Sequence, residues 1–271
     1  MKYFIITGTS RGIGEAIAEQ LISSEHFLFC ISRERNEKLL NKSKNIEYHD
    51  FDLQYIDQIE DLLNRIFDAI DISSAEGVYL INNASMISPV SFINNAMVKD
   101  ITGNINVNLI APIIFTSLFI ARTENYQIEK RIINISSASA KNHHPGMSLY
   151  SAAKAGLDVF SQCVGLEQNH SKAPVGIVSI WPGMIDTNLQ REARNQDKAT
   201  FPSADIFEMV KENGMLTSPE ETAKQIIDCL FKKDFKNGEV VDIYDYSKVQ
   251  KHFEAPSEAR RARSSSETGD N

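Results

Sequence analysis

Tyr150-Ser151-Ala152-Ala153-Lys154 sets a phenol four residues ahead of an ammonium, a spacing that brings both side chains onto one face of a helix. A free tyrosine keeps its proton with a pKa of about 10, and a nearby cation favours the phenolate, so the pair predicts a phenol drawn toward neutrality. Such a group can pass a proton to an alkoxide that develops as hydride reaches a carbonyl carbon. Two residues at helical spacing also recur by chance on helix surfaces; their company strengthens the reading. Ser136-Ser137 close an apolar, β-branched run thirteen positions before Tyr150. A hydroxyl there is placed to donate to the substrate oxygen and fix its orientation.

Thr7-Gly8-Thr9-Ser10-Arg11-Gly12-Ile13-Gly14 lies between a strand-like run at 3–7 and a helical period from Gly12 to about Ser23. Glycines there permit a tight turn and close approach to a pyrophosphate, and the free N–H groups of the helix start favour negative charge. A ligand-free strand-to-helix loop has the same composition, but the first βα junction is where a dinucleotide fingerprint belongs. Gly8, Ser10, Arg11, Gly12, Ile13 and Gly14 are therefore candidate cofactor residues.

The second strand ends at Ile31-Ser32-Arg33, where an NAD site usually carries an acid for the adenosine 2′-hydroxyl. No acid stands there. Ser32 can donate a hydrogen bond and Arg33, helped by Arg11, can pair with a 2′-phosphate, which favours NADPH; solvated surface arginines are the ordinary alternative. Asp52 and Leu53 follow the third strand and face the adenine edge. The Asp52 carboxylate suits either the exocyclic amine or the cap of the next helix. Asn83 and Ala84, after the fourth strand, let backbone pass close to the ribose.

Strand-like runs at Phe27–Ile31, Ile46–His49, Val78–Asn82, Arg131–Ser136, Val175–Trp181 and Glu239–Tyr244 join the first to make seven. Helical stretches near 54–70, 102–121, 150–168 and 219–231 alternate with them. This βαβ rhythm predicts an α/β class, doubly wound Rossmann fold with a seven-stranded parallel sheet, one domain over 1–246. The site belongs at the carboxyl ends of the strands, where strand order reverses. Residues 188–217 are a long connection, read as a substrate lid or as a peripheral helix with loops. Residues 247–271, Ser-rich and of mixed charge, read as a disordered tail.

The chain has 271 residues, 42% of them hydrophobic, and a net charge of -8. That is enough apolar material for one large core. No basic face appears for nucleic acid. The apolar start is too short for a signal peptide or spanning helix, so a cytoplasmic protein without membrane attachment is expected. Cys30, Cys163 and Cys229 are odd in number and widely spaced, reading as reduced thiols. His143 and His144 have no ligand companions, and no metal is expected.

Together, Thr7-Gly8-xxx-Gly12-x-Gly14, Asn82-Asn83-Ala84, Ser137 and Tyr150-xxx-Lys154 resemble the short-chain dehydrogenase/reductase family over nearly all of 1–245. The resemblance implies an NADP-dependent oxidoreductase acting on CH–OH or C=O groups, usually a homo-dimer or tetramer. Ser137, Tyr150 and Lys154 would be catalytic, with Lys154 also holding the nicotinamide ribose. It implies a relay asparagine at Asn108, with Asn106 competing. It also places Pro182, Gly183, Ile185 and Thr187 against the nicotinamide carboxamide. Ser85 departs from the pattern, since glycine is most common there, and puts cofactor affinity in doubt. The 31–33 turn and the 235–245 segment look most like sepiapterin reductases and bacterial benzil reductases. That likeness would make Asp242 a pterin anchor, against its ordinary role as a turn residue. The implied substrate is a small aromatic or heteroaromatic carbonyl compound. An NAD-dependent alcohol or sugar dehydrogenase and a non-catalytic NADP sensor are the rival readings.

Overall fold

The computed structural model describes residues 1–244. Its seven strands are β1 (Lys2–Thr7), β2 (His26–Ser32), β3 (Ile46–Asp50), β4 (Gly77–Asn82), β5 (Glu129–Ile135), β6 (Gly176–Trp181) and β7 (Val240–Asp242). They form one sheet in the order β3-β2-β1-β4-β5-β6-β7, every pairing parallel. The chain winds outward from β1 to β3 and then returns to build the other half from β4, so strand order reverses between β1 and β4. A crevice opens beyond the strand ends at such a point.

Both faces of the sheet are covered, as the apolar strands require. On one side, Phe4, Ile6, Leu28, Cys30, Ile81 and Ile133 pack under α1 (Gly12–Gln20) and α9 (Pro219–Leu230). On the other, Ile5, Phe29, Leu80 and Ile132 meet α3 (Ile59–Asp68) and α5 (Ala111–Thr123). Neighbouring strand residues thus serve opposite cores, the two-residue period of β structure. In α3 the buried residues are Ile59, Leu62, Leu63 and Ile66, a one-sided helical stripe.

Three features differ from the sequence expectation. The 188–217 connection holds two helices, α7 (Asn188–Arg194) and α8 (Ala204–Glu212). Their Ala193, Ala204 and Phe207 build a third apolar cluster with Ile87, Val90, Met147 and Tyr150. The expected 102–121 helix runs from Val98 to Thr123 as α4 (Val98–Ile105), a π turn at Asn106–Ile110, and α5. That stretch is long and apolar enough to cross a membrane, but Phe115 and Phe119 lie fully buried against the sheet. A four-residue helix, α2 (Glu37–Leu40), was also not anticipated. The tail expected at 247–271 and the domain limit at 246 lie outside the described residues.

The start of β5 is held by a buried cation. Lys130 is 3% exposed, and its ammonium donates to the carbonyls of Thr123 (3.0 Å), Tyr126 (2.8 Å) and Ala173 (2.7 Å). Lys130→Met strands those acceptors. Hydrogen bonds to charged groups are worth about 1.5–3 kcal/mol each, partly offset by relief of ammonium desolvation, so a net loss of about 2 kcal/mol is expected in urea unfolding. An unchanged midpoint would refute this.

Candidate active site

A cavity of about 820 Å³ runs along the carboxyl edge of the sheet, from Arg33 and Asp52 past the glycine turn to Tyr150 and α8. Most of the expected catalytic, cofactor and substrate residues line it; Gly14, Asn108 and its competitor Asn106, and Asp242 do not.

The glycine turn owes its shape to two different constraints. Gly12 has φ +64°, in the left-handed region, while a side chain on it would meet only Thr187 at 3.4 Å. Gly8, at φ +77°, is subject to both constraints, and Gly14 to packing alone. A Cβ on Gly14 would lie 2.2 Å from the Gly8 carbonyl oxygen, and one on Gly8 would lie 2.8 Å from Ala84 Cα. Asn83 braces the turn, its Nδ2 donating to the carbonyls of Thr7 (2.9 Å) and Gly8 (3.2 Å). Arg11, the residue before α1, makes no side-chain cap. The start of α1 is thus left without a side-chain cap where Gly12 and Ile13 line the cavity, a cradle suited to a pyrophosphate. These residues fit a dinucleotide.

At the adenosine end the arrangement is mixed. Arg33 and Arg11 are exposed and line the cavity. Ser32 is committed elsewhere: its Oγ lies 2.5 Å from Tyr48 Oη and donates to the Glu34 carbonyl at 2.7 Å. Glu34 also lines the cavity, so an acidic residue borders the adenosine end one position past the Ile31-Ser32-Arg33 turn. Asp52 borders the cavity, and its Oδ1 accepts from Gln54 N–H (3.0 Å) in a local turn; it does not cap the next helix, which starts after Tyr55 without a side-chain cap. Tyr48 was missed; the two-residue period with buried Ile46 is the signal that would have found it.

At the catalytic end, α6 (Ser148–Gln168) presents Tyr150, Lys154, Leu157, Ser161 and Val164 as one buried stripe. The same periodicity that packs the helix against the sheet carries Tyr150 and Lys154 into the cleft. Lys154 Nζ donates to the Ile135 carbonyl (2.8 Å) and sits 5.6 Å from the Tyr150 ring centre. Ser137 Oγ accepts from Ser139 N–H (3.1 Å), leaving its own proton for another partner.

One expectation is overturned here. The Tyr150 phenol lies above, not below, its ordinary value, because burial outweighs the Ser137 and Ser85 hydroxyls that pull the other way. The Lys154 charge points to the Ile135 carbonyl, not to the phenol oxygen. Burial pushes Lys154 itself down to about 8, against a smaller upward pull from Asp158. The folded chain therefore binds fewer protons than the unfolded chain between about pH 8 and 10.5, and stability gains with pH across that window. Melting of the cofactor-free protein should show this gain, and Lys154→Met should lack it; parallel curves would count against it.

Asn108, in the π turn, is fully buried. Its side chain grips the 85–86 segment, whereas Asn106 turns away to the Gln54 carbonyl. Asp242 is exposed, outside the cavity lining, and accepts from Tyr244 N–H (3.1 Å). That bond is the one its turn-residue reading predicts. Tyr244 itself packs on Gly183, where a Cβ would lie 2.1 Å from its ring. Met86, Met184, Met209, Met215, Leu189 and Phe207 make the wall beyond Tyr150 apolar. Thioether side chains adapt to flat or irregular apolar ligands, but their scattered positions carry no motif. No metal cluster occurs among the described residues.

Comparison with known proteins bears on the family and the fold. The chain is 39% identical to a benzil reductase ((S)-benzoin forming) of Bacillus cereus, covering 90% of this chain and 99% of that protein. It is 28% identical to the sepiapterin reductase of Mus musculus, covering 89% and 96%. A solved 4-hydroxyisoleucine dehydrogenase complexed with NADH shares the fold, with a TM-score of 0.76 at 22% identity, covering 91% and 99%. Residues 2–198 match the sequence profile of the short chain dehydrogenases, and the protein is an oxidoreductase of that family.

Proposed function

We propose that this protein is a cytoplasmic, NADPH-dependent carbonyl reductase acting on a ketone of an aromatic or heteroaromatic dicarbonyl compound. The observation that carries the reading is a buried phenol, Tyr150, sharing one cleft with the Ser137 hydroxyl and Lys154, where the cavity wall turns apolar. A protonated phenol is the state a reductase needs, since it must deliver a proton to the nascent alkoxide. Similarity to a benzil reductase supports the substrate class.

Reduced nicotinamide, when bound, supplies the hydride. Ser137 donates to the carbonyl oxygen and orients it, Tyr150 protonates that oxygen, and Lys154 holds the ribose and supplies positive charge nearby. The helices α7 and α8 close the apolar end and exclude water, in keeping with a lid. Asn108 supports the relay by fixing the segment beside Tyr150. The test is oxidation of NADPH by the purified protein against benzil, a pterin diketone and simple ketones. Turnover with the aromatic diketones is expected; none across the panel would overturn the reading and favour the non-catalytic sensor.

Cofactor choice rests on Arg33 and Arg11 as partners of a 2′-phosphate. Glu34 favours the second reading, an NAD-dependent dehydrogenase, because its carboxylate can accept from a 2′-hydroxyl and repels a phosphate. Arg33→Ala should weaken NADPH binding about tenfold and leave NADH unchanged, the loss of one charge-assisted pair. Wild-type protein that binds NADH as tightly as NADPH would decide for the second reading.

A further inference from the structure

Tyr48 is the middle of a chain of hydroxyls that joins the glycine turn to the end of β2. The residue is 7% exposed on β3. Thr9 Oγ1 donates to Tyr48 Oη at 3.2 Å, Tyr48 Oη lies 2.5 Å from Ser32 Oγ, and Ser32 donates to the Glu34 carbonyl at 2.7 Å. A carbonyl can only accept, and each hydroxyl has one proton to give. With the Ser32 proton on Glu34, the short contact is a donation from Tyr48 to Ser32. Tyr48 and Ser32 then each give one hydrogen bond and accept one. The Glu34 carbonyl also lies 3.2 Å from Tyr48 Oη, with Ser32 the nearer donor.

The segment this chain holds is the one that borders the adenosine end of the cleft. Of Ser32-Arg33-Glu34-Arg35, the first three line the cavity and Arg35 does not. Arg35 is bound instead to Asp50 of β3, through Nε (3.3 Å) and Nη2 (3.0 Å), with its guanidinium 6.0 Å from the centre of the Tyr48 ring. Asn36 adds a separate link to the glycine turn, its Nδ2 donating to the Ser10 carbonyl (3.2 Å) and to Glu15 Oε1 (2.6 Å). Strand β3 thus selects which of the two arginines borders the cleft, and Tyr48 is the residue on it whose side chain bonds Ser32. Tyr48 itself does not line the cavity, so whatever it does there it does through the turn.

We propose that Tyr48 is a positioning residue for cofactor choice: its hydroxyl holds Ser32, and through Ser32 the Glu34 carbonyl, so that Arg33 and Glu34 border the adenosine end in one fixed arrangement. The proposal rests on the dinucleotide reading of the cleft and goes beyond it, since it holds whichever dinucleotide is preferred. Specificity is a difference between two affinities. A 2′-phosphate and a 2′-hydroxyl are told apart by charged groups kept in place by the hydrogen bonds behind them. Without the Tyr48 hydroxyl, Ser32 loses its donor and Thr9 its acceptor, while Asn36 and Arg35 still anchor the chain further on. The turn stays folded, but residues 32–34 are held less closely, and a cation and a carboxylate that share a loose turn discriminate less.

The test is calorimetric titration of NADP and of NAD into wild type, Tyr48→Phe, Ser32→Ala and the double variant. Phenylalanine fills the same space and removes only the hydroxyl. The ratio of the two dissociation constants should shrink about fivefold in Tyr48→Phe, the loss of one neutral hydrogen bond. Ser32→Ala removes the partner instead and should shrink the ratio as much, and the double variant no further, as two members of one chain require. In the cofactor-free protein, trypsin should cleave after Arg33 and Arg35 faster in Tyr48→Phe than in wild type. A ratio in Tyr48→Phe within about twofold of wild type, with both dinucleotides weakened alike, would overturn the proposal and leave Tyr48 a packing residue. Additive effects of the two substitutions would overturn it by placing Ser32 directly on the cofactor. A wild-type ratio near one would overturn it with the dinucleotide reading intact, whereas wild type that binds neither would remove that reading and the proposal together.

Discussion

Tyr150→Phe should lower ketone-dependent oxidation of NADPH by about 10³-fold, within the range that a positioned general acid contributes, while NADPH affinity stays within about twofold. The ring is 7% exposed and packs with Ile87, Met147 and Phe207, and phenylalanine fills the same space. Only the hydroxyl is lost. Because burial holds the phenol above its ordinary value, the wild-type acid stays protonated through neutral pH and the defect should persist there. Steady-state rates with benzil and a fluorescence titration of NADPH measure both halves. Turnover within tenfold of wild type would remove Tyr150 from the chemistry; an equal loss of NADPH binding would make its role structural.

Gly14→Ala should be nearly as damaging by another route. The new methyl group would lie 2.2 Å from the Gly8 carbonyl oxygen and 2.4 Å from Asn83 Nδ2. Neither can yield cheaply, since the first is backbone and the second braces the turn through Thr7 and Gly8. Overpacking of this kind costs about 1–3 kcal/mol of stability, and displacement of the turn should weaken dinucleotide binding at least tenfold. Gly12→Ala is the control. It meets only Thr187 at 3.4 Å, so its penalty is chiefly the left-handed φ, about 1–2 kcal/mol. Equal dinucleotide affinity in Gly14→Ala and wild type would show that the turn adapts.

Much of the fold was legible because its signals are local. Ile5 and Ile6 on opposite faces of β1, the Ile59-Leu62-Leu63-Ile66 stripe of α3, and glycines at one βα junction each obey a short-range rule. The helices α7 and α8 were less legible. Their apolar residues bury against Ile87, Val90 and Met147, which lie far away in the chain, so the segment by itself reads as polar connection.

For the site, residue types and spacing determined that Tyr150, Lys154, Ser137 and the glycine turn would share one strand-end cleft, because helix and strand periods carry side chains to fixed sides of a parallel sheet. Tertiary structure decided what those groups are. The sign of the Tyr150 shift, the aim of Lys154 at Ile135, the capture of Ser32 by Tyr48 and the bond from Ser85 to Asn108 all join residues distant in sequence. Burial and hydrogen-bond direction are properties of the packed surroundings. Spacing along a chain says which groups can meet, and only the assembled environment sets how tightly each holds its proton.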